Sequence, residues 1–287
     1  MPKKVQVLFL CLSLALVITL VTRVQAATFK TIDVPNAEET DANAINNGGI
    51  IVGDYIDNTG TNHGFAVINN KLKSFDVPKS NGTFVRGIND KGQVVGYFND
   101  SNGIQHGYVY ASGKFTTIDP PGSTLTNAWG INKNGEIVGT YTDSGGVFHG
   151  FTLLNGTYTS FDAPNGSILT EMLGINASGI IVGIYDDSSG EEHGFGLVKT
   201  KFVDITYPNA SVTASDKVND KGSVVGLHGT SNSGPFSGYI LTGGKTFTDI
   251  SVPNSTETRC RGLNNAQDVV GRYTDSSGII HGFLMTP

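Results

Sequence analysis

Apolar and polar positions alternate along this chain in short bursts, and each burst stops at a turn. From Thr126 onward, TNAWGIN is followed by KNG, EIVGTYT by DSGG, VFHGFTLL by NG, and TYTSFDAP completes the series. The runs are β-branched and aromatic. The separators, Asn-Gly, Asp-Lys-Gly and Asp-Ser-Ser-Gly among them, tolerate the positive φ of hairpin turns. Outside the first 26 residues no stretch sustains a 3.6-residue apolar period, which argues against helices of any length. The pattern predicts four short strands in about 43 residues.

That unit is written six times. HGF or its variant falls at His63, His106, His149, His193, Ser237 and His281, spaced 43, 43, 44, 44 and 44 residues apart. A phrase of the GIN type keeps the same beat, ending at Asn46, Asn89, Asn132, Asn176, Asn219 and Asn264. After it comes Val-Gly, with Gly53, Gly96, Gly139, Gly183, Gly226 and Gly271, and each unit also carries an FDVP-type strand. Such a unit cannot bury both faces alone and must stack on copies of itself, and six copies without a helical cap favour a closed ring over an open solenoid. The chain past residue 26 starts with a fourth-strand segment, TFKTIDVP, and ends in a third-strand segment, HGFLMTP. Residues 28–35 are therefore expected beside residues 279–286, which removes the open sheet edge. The expected fold is all-β: a single six-bladed β-propeller of four-stranded blades over residues 27–287, closed by pairing of the N-terminal strand with the C-terminal blade.

The pattern GIN-x-x-G-x-IVG-x-Y-x-D-x-x-G-x-x-HGF with its FD-x-P strand resembles the HAF-type extracellular repeat of exported bacterial proteins, over essentially all of residues 27–287. The resemblance implies secretion and a propeller-like array. It implies no reaction.

Residues 1–26 read as a signal peptide: Lys3 and Lys4, then the apolar stretch VQVLFLCLSLALVITLV, then Val24-Gln25-Ala26 as a cleavage site. An uncleaved anchor is the alternative, although Gln6, Ser13 and Thr19 interrupt the apolar run. The expected location is secreted or periplasmic, with no membrane insertion after cleavage and a monomeric state. The whole chain carries a net charge of −6, and loss of Lys3, Lys4 and Arg23 takes it to −9 with no basic run. Nucleic acid and anionic membrane surfaces, which demand clustered Lys and Arg, are excluded as natural partners. Of the two cysteines only Cys260 lies beyond the signal, so no intramolecular disulfide is expected.

Repetition also sorts the candidate chemistry. Histidines present once per unit read as structural, donating to a backbone carbonyl or to the turn aspartate, and Asp57, Asp100, Asp143, Asp187 and Asp275 read as acceptors of their own turns' N–H groups. No cofactor is expected. Calcium, the alternative at these turns, would need several oxygens where each loop offers one carboxylate, and zinc would need clustered His or Cys that the chain lacks. The informative positions are those that change from unit to unit. Before each GIN phrase stands a constant Thr, then a variable column (Asp41, Phe84, Asn127, Glu171, Ala214, Arg259), then a small or apolar one that includes Cys260. A second variable column follows (Asn43, Arg86, Trp129, Leu173, Asp216, Arg261). Strand alternation turns the small column into the packing and both variable columns toward the channel mouth.

The candidate ligand-binding residues are Arg86, Trp129, Arg259, Arg261, Asp41 and Asn43, with Asp54, Tyr97 and Arg272 at the rim. Trp129 would stack on a sugar face and the arginines would hold carboxylates or hydroxyls. The leading reading is a binding module for a small molecule or carbohydrate. The alternatives are a secreted polysaccharide lyase or hydrolase using Glu171 and Asp216 as acid and base, and a cell-envelope scaffold binding an envelope protein. Unit five departs from the pattern at Lys217, His228 and Ser237 and lacks the turn Asp in SNSGPF, which reads as a degraded copy, with a partner-docking edge as the alternative.

Overall fold

The computed structural model describes residues 27–164 and 167–287, and the expected signal segment, residues 1–26, lies outside the described residues. β1 (Thr28–Ile32) comes first. β2 (Glu39–Ile45), β3 (Ile51–Ile56), β4 (Asn62–Ile68) and β5 (Lys71–Phe75) form an antiparallel sheet, and β6 (Gly82–Ile88), β7 (Val94–Asn99), β8 (Gln105–Ala111) and β9 (Lys114–Ile118) form the next. β10 (Leu125–Ile131), β11 (Ile137–Thr142), β12 (Phe148–Leu154) and β13 (Thr157–Phe161) share a sheet with β14 (Leu169–Ile175), β15 (Ile181–Asp186), β16 (Glu192–Val198) and β17 (Lys201–Ile205). These two halves meet at one parallel bridge, Phe148 to Leu169. β18 (Val212–Val218), β19 (Val224–Gly229), β20 (Ser237–Thr242) and β21 (Thr246–Ile250) form another sheet, and β22 (Glu257–Leu263), β23 (Val269–Thr274) and β24 (Ile280–Thr286) take β1 as their fourth strand. The described chain is an all-β propeller without helices. Its strands pair as four sheets of four strands and one of eight, where the repeat predicts six separate sheets.

The chain ends meet as expected, with β1 antiparallel to β24 from Thr28 opposite Thr286 to Ile32 opposite Gly282. β2, β6, β10, β14, β18 and β22 touch one another in turn, and β22 touches β2, so these inner strands surround an axis. The core lies between units. Phe65, Tyr108, Phe151, Phe195, Tyr239 and Phe283, the aromatic residues of the HGF phrase, are all 0% exposed, and each stands opposite a Val-Gly glycine. A Cβ on Gly53 would overlap the Asp41 carbonyl oxygen and the Phe65 ring, which accounts for that glycine. Val95 packs with Ala128 and Phe151 of the following unit, and Val270 with Ala42 and Phe65 across the closure.

Polar side chains complete the scaffold. The Asn46 Oδ1 accepts the N–H groups of Gly48 and Ile50, closing its own turn, while its Nδ2 donates to the Asn89 carbonyl of the next unit. Asn89, Asn132, Asn176 and Asn219 hand the same bond onward to Asn132, Asn176, Asn219 and Asn264 at 3.0 to 3.2 Å. Across the closure, Asn265 N–H donates to Asn47 Oδ1 at 2.8 Å. The constant Thr pins each crossover between units: Thr40 Oγ1 accepts from Val34 N–H at 3.1 Å, and Thr83, Thr170, Thr213 and Thr258 repeat the bond. In the remaining unit Pro120 stands at the donor position and has no N–H, and Thr126 donates to Ser123 instead.

The histidines are staples at the rim of the disc. His63 lies 3.2 Å from the turn Asp57 and 3.0 Å from Asp76 beside the outer strand, and stacks on Tyr55. His149 and His281 repeat this with Asp143 and Asp162, and with Asp275 and Asp33. Burial disfavours the imidazolium of His63 and of His149, but the flanking carboxylates outweigh it and raise both pKa values. The turn aspartates accept N–H groups two and four residues on, as Asp275 does from Ser277 and Ile279.

Deleting residues 27–36 strips β1 from β24 and exposes a sheet edge, and a melt followed by circular dichroism should show loss of the cooperative transition or a large drop in its midpoint. An unchanged melt would refute closure. Asn176→Ala removes a donor to Asn219 and an acceptor of two turn N–H groups, and urea unfolding should register a cost of about 2–4 kcal/mol, since a buried polar group left unpaired costs roughly 1–3.

Candidate functional site

One backbone irregularity recurs in every inner strand. The register against the second strand slips between Ala42 and Ala44, Val85 and Gly87, Ala128 and Gly130, Met172 and Gly174, Ser215 and Lys217, and Cys260 and Gly262. The extra residue at each slip is Asn43, Arg86, Trp129, Leu173, Asp216 or Arg261, which is the second variable column. A β-bulge re-aims the side chain it carries. All six of these residues line one cavity of about 440 Å³ at one end of the axis, and Asp41, Glu171 and Arg259 of the first variable column line it too. The preceding small column, Ala42 to Cys260, is buried in the packing between units, and burial pushes the Cys260 thiol far up, leaving it an inert apolar group.

The cavity is not uniform. Near Arg86 it is filled by internal pairing: Arg86 is ion-paired with the buried Asp54, donates to Tyr97 Oη at 3.2 Å, and lies 5.5 Å from the Trp129 ring centroid. Asn43 Nδ2 also donates to Asp54, at 2.7 Å. Burial pushes the Asp54 carboxyl up and Arg86 opposes it. Trp129 Nε1 donates to Thr140 at 3.1 Å, with the ring edge toward Tyr97. Arg272 spans the closure to Asp41 at 3.1 Å. Arg259 is held by Glu257 at 2.6 Å and lies over the Phe236 ring at 4.6 Å. Arg261 gives one nitrogen to Asp216 at 2.7 Å and keeps the remaining donors of its fork.

Opposite the arginines stands an acid wall on β14, β15 and β16: Glu171, Asp186 and Glu192. Burial pushes the Glu171 carboxyl up to about 7, with Glu192, Asp186 and Asp216 adding to it and Arg261 opposing. Glu192 rises to about 7 for the same reasons, burial first. Between the two charged walls unit five supplies an apolar one: Val212, Ala214, Leu227 and Phe236, packed with Ile184. Lys217, at the position of the GIN glycine, stands at the cavity floor and in the neck below it. Its Nζ donates to the Leu173 carbonyl at 2.7 Å, and burial drives its pKa down to about 7 against the pull of Asp216.

All eight residues singled out from sequence as binding or acid–base candidates thus reach one cavity. Glu192, Asp186, Phe236 and Lys217 were not among them. Glu192 and Phe236 stand immediately before the HGF or SGY phrase, in a column that reads Asn62, Gln105, Phe148, Glu192, Phe236 and Ile280 and varies as widely as the two columns ahead of the GIN phrase. Unit five also proves to be more than a degraded copy. Where Ser237 lacks the imidazole, His228 stands at the position of Tyr55, stacks at 3.5 Å on Tyr207 from the crossover ahead of β18, and shares Asp249 with it, a different contact at the same rim.

The raised carboxyls set the sign of a pH effect. Between the ordinary 4.5 and about 7 the folded chain holds protons on Glu171 and Glu192 that the unfolded chain has released, so stability falls as pH rises through that window. Lys217 acts oppositely from about 7 to 10.5, where the unfolded chain holds the proton and stability climbs. Glu171→Gln with Glu192→Gln should flatten the fall, so that the double variant unfolds at higher urea than wild type at pH 7.5 and not at pH 4.5. Parallel curves at both pH values would contradict this assignment.

No protein-family model and no curated protein matches the sequence. Solved structures do match in fold. A mutant form of a lectin from Aleuria aurantia, in complex with Fucα1-6GlcNAc, is 12% identical with a TM-score of 0.53, over 89% of this chain and 93% of that one. TolB from Acinetobacter baumannii is 11% identical at 0.59, covering 82% of this chain and 63% of its own. The Trypanosoma rangeli sialidase is 10% identical at 0.56, covering 91% of this chain and 59% of its own. At such identities the likeness shows the propeller fold alone.

Proposed function

We propose that this chain is an exported binding module, a six-bladed β-propeller of the HAF-repeat type that its motifs resemble, which takes a glycan or other small polar ligand in the cavity at the mouth of the axis. The observation that carries the reading is the ring of bulges. One backbone device, repeated in every inner strand, aims a different side chain at a shared space of about 440 Å³, the size and mixed lining of a small-molecule site. Trp129 and Phe236 offer faces for the apolar side of a sugar, and the spare fork of Arg261 offers donors to hydroxyl or carboxylate oxygens. The Aleuria aurantia lectin, alike in fold, binds a fucosylated disaccharide, so a propeller of this kind can hold a sugar. Location outside the cytoplasm rests on the signal-like residues 1–26.

A second reading is favoured by one observation. Glu171, pushed up to about 7, holds a proton near neutrality, as a general acid must, and Asp216 lines the same cavity. In that reading the protein is a glycan hydrolase or lyase.

A glycan array should show binding by wild type that Trp129→Ala and Arg261→Ala each weaken at least tenfold. Binding to no glycan, or binding indifferent to both substitutions, removes the first reading. Shortened products from any bound glycan, lost in Glu171→Gln, would move the assignment to the second.

A further inference from the structure

Within the cavity the charges are unequally matched. Arg86, Arg259, Arg261 and Arg272 each have a carboxylate partner, and the Lys217 ammonium is turned to a carbonyl. Among the described residues Glu171, Asp186 and Glu192 have no ion pair and no side-chain hydrogen bond. Asp186 and Glu192 are also direct cross-strand partners in the β15–β16 ladder, an arrangement of like charges that disfavours the sheet. The fourth acid, Asp216, has a side chain 5% exposed, and its Oδ2 is buried without a partner while Oδ1 takes Arg261. The unmet electrostatic demand of this cavity is for a cation.

We infer that Glu171, Asp186 and Glu192, with Asp216 beside them at the cavity floor, receive the ammonium group of a cationic ligand, an amino sugar or a short aliphatic amine. The inference rests on the cavity being the binding site, and it names the ligand's charge. An ammonium among these carboxyls satisfies acceptors that the fold leaves open and relieves the Asp186–Glu192 repulsion. The apolar wall of Phe236 and Leu227 takes the ligand's carbon face, and the fork of Arg261 takes its hydroxyls.

Proton linkage gives this a sign that no neutral or anionic ligand shares. The groups facing Glu171 are Glu192 on β16, Asp186 on β15, Asp216 on β18 and Arg261 on β22. Glu192 faces Asp216, Asp186, Arg261 and Arg259, and Lys217 faces Asp216, Arg261 and Arg86. With both glutamates raised to about 7 by burial, a bound cation favours their ionised forms and drives protons off. A bound anion would draw protons in.

Isothermal titration at pH 7 in phosphate and in HEPES buffer counts those protons, using the β1,4-linked glucosamine trimer, its N-acetylated counterpart and 1,4-diaminobutane. The glucosamine trimer should bind at least tenfold more tightly than the N-acetylated one, should weaken as pH falls from 7 to 5, and should show net proton release once the protons taken up by its own amines, which titrate near neutrality, are subtracted. Glu171→Gln with Glu192→Gln should lose at least tenfold in affinity and abolish the release. Should that variant fail to fold by circular dichroism, the pH dependence and proton count of wild type decide alone. Binding of diaminobutane without the sugar identifies a simple amine as the source. Equal or tighter binding of the N-acetylated trimer would overturn the cation inference while leaving the glycan site standing. Absence of binding by both amines, or net proton uptake after that subtraction, would overturn it as well.

Discussion

Asn46, Asn89, Asn132, Asn176, Asn219 and Asn264 each close a turn with one side chain, all but Asn264 also reach the next unit with it, and the ring depends on the pairing of the two. The amide oxygen closes the turn that follows the inner strand, as Asn132 does for Asn134 and Glu136. In five of the six the amide nitrogen is bonded to the carbonyl of the same residue one unit on. A planar amide carries its acceptor and its donor on separate atoms in fixed relation; Asp would lose the donor, and Ser would carry both on the single oxygen of a shorter arm. The turn geometry and the spacing between units are thereby tied together. The inner strands are gathered at this end of the axis, with a hollow of about 80 Å³ between them, and that anchoring leaves the other end free to differ.

The free end is where the bulges act. A regular strand would carry its side chains alternately into the packing and away from it, giving each inner strand one fixed set of directions. The slip before each GIN glycine inserts a residue whose direction is not dictated by packing with the neighbouring unit, and these residues are Asn, Arg, Trp, Leu, Asp and Arg around the ring. The glycines behind them let the inner strands approach, as where a Cβ on Gly130 would meet the Leu173 carbonyl at 3.0 Å. Lys217 is the exception. Its side chain lies over Leu173 and into the neck of the axis, so the substitution that breaks the repeat also narrows the channel below the cavity.

What could be read in advance follows from the same physics. Strand number and order, the closure of β1 on β24 and the structural role of the turn aspartates are all local or periodic properties, and periodicity is visible in a chain that writes one unit six times. The gathering of Asp41, Glu171, Asp216, Arg259 and Arg261 at one place could also be read, since columns that vary within a rigid repeat must lie where packing does not constrain them. The bulge could not be read, because it adds a residue without any turn signal. The internal consumption of Arg86 could not either: its partner Asp54 lies in the neighbouring unit, 32 residues away, and separation of that kind leaves no trace in spacing. The links of the His63, Asp57 and Asp76 type were half legible, because the turn aspartate is near in sequence while the second is reached only when the outer strand folds back.

Unit five carries the argument from scaffold to site. Its Tyr207–His228 stack, tied to Asp249, holds the rim, while three of the residues it presents to the cavity, Ala214, Leu227 and Phe236, are apolar where the neighbouring units present Glu171, Arg259 and Arg272. An apolar wall beside the acid wall lowers the local dielectric and raises the cost of ionising those acids. Burial comes first among the causes that raise the carboxyls of Glu171 and Glu192, and neighbouring acids add to it. The asymmetry of the cavity is thus supplied in large part by the unit that departs furthest from its copies.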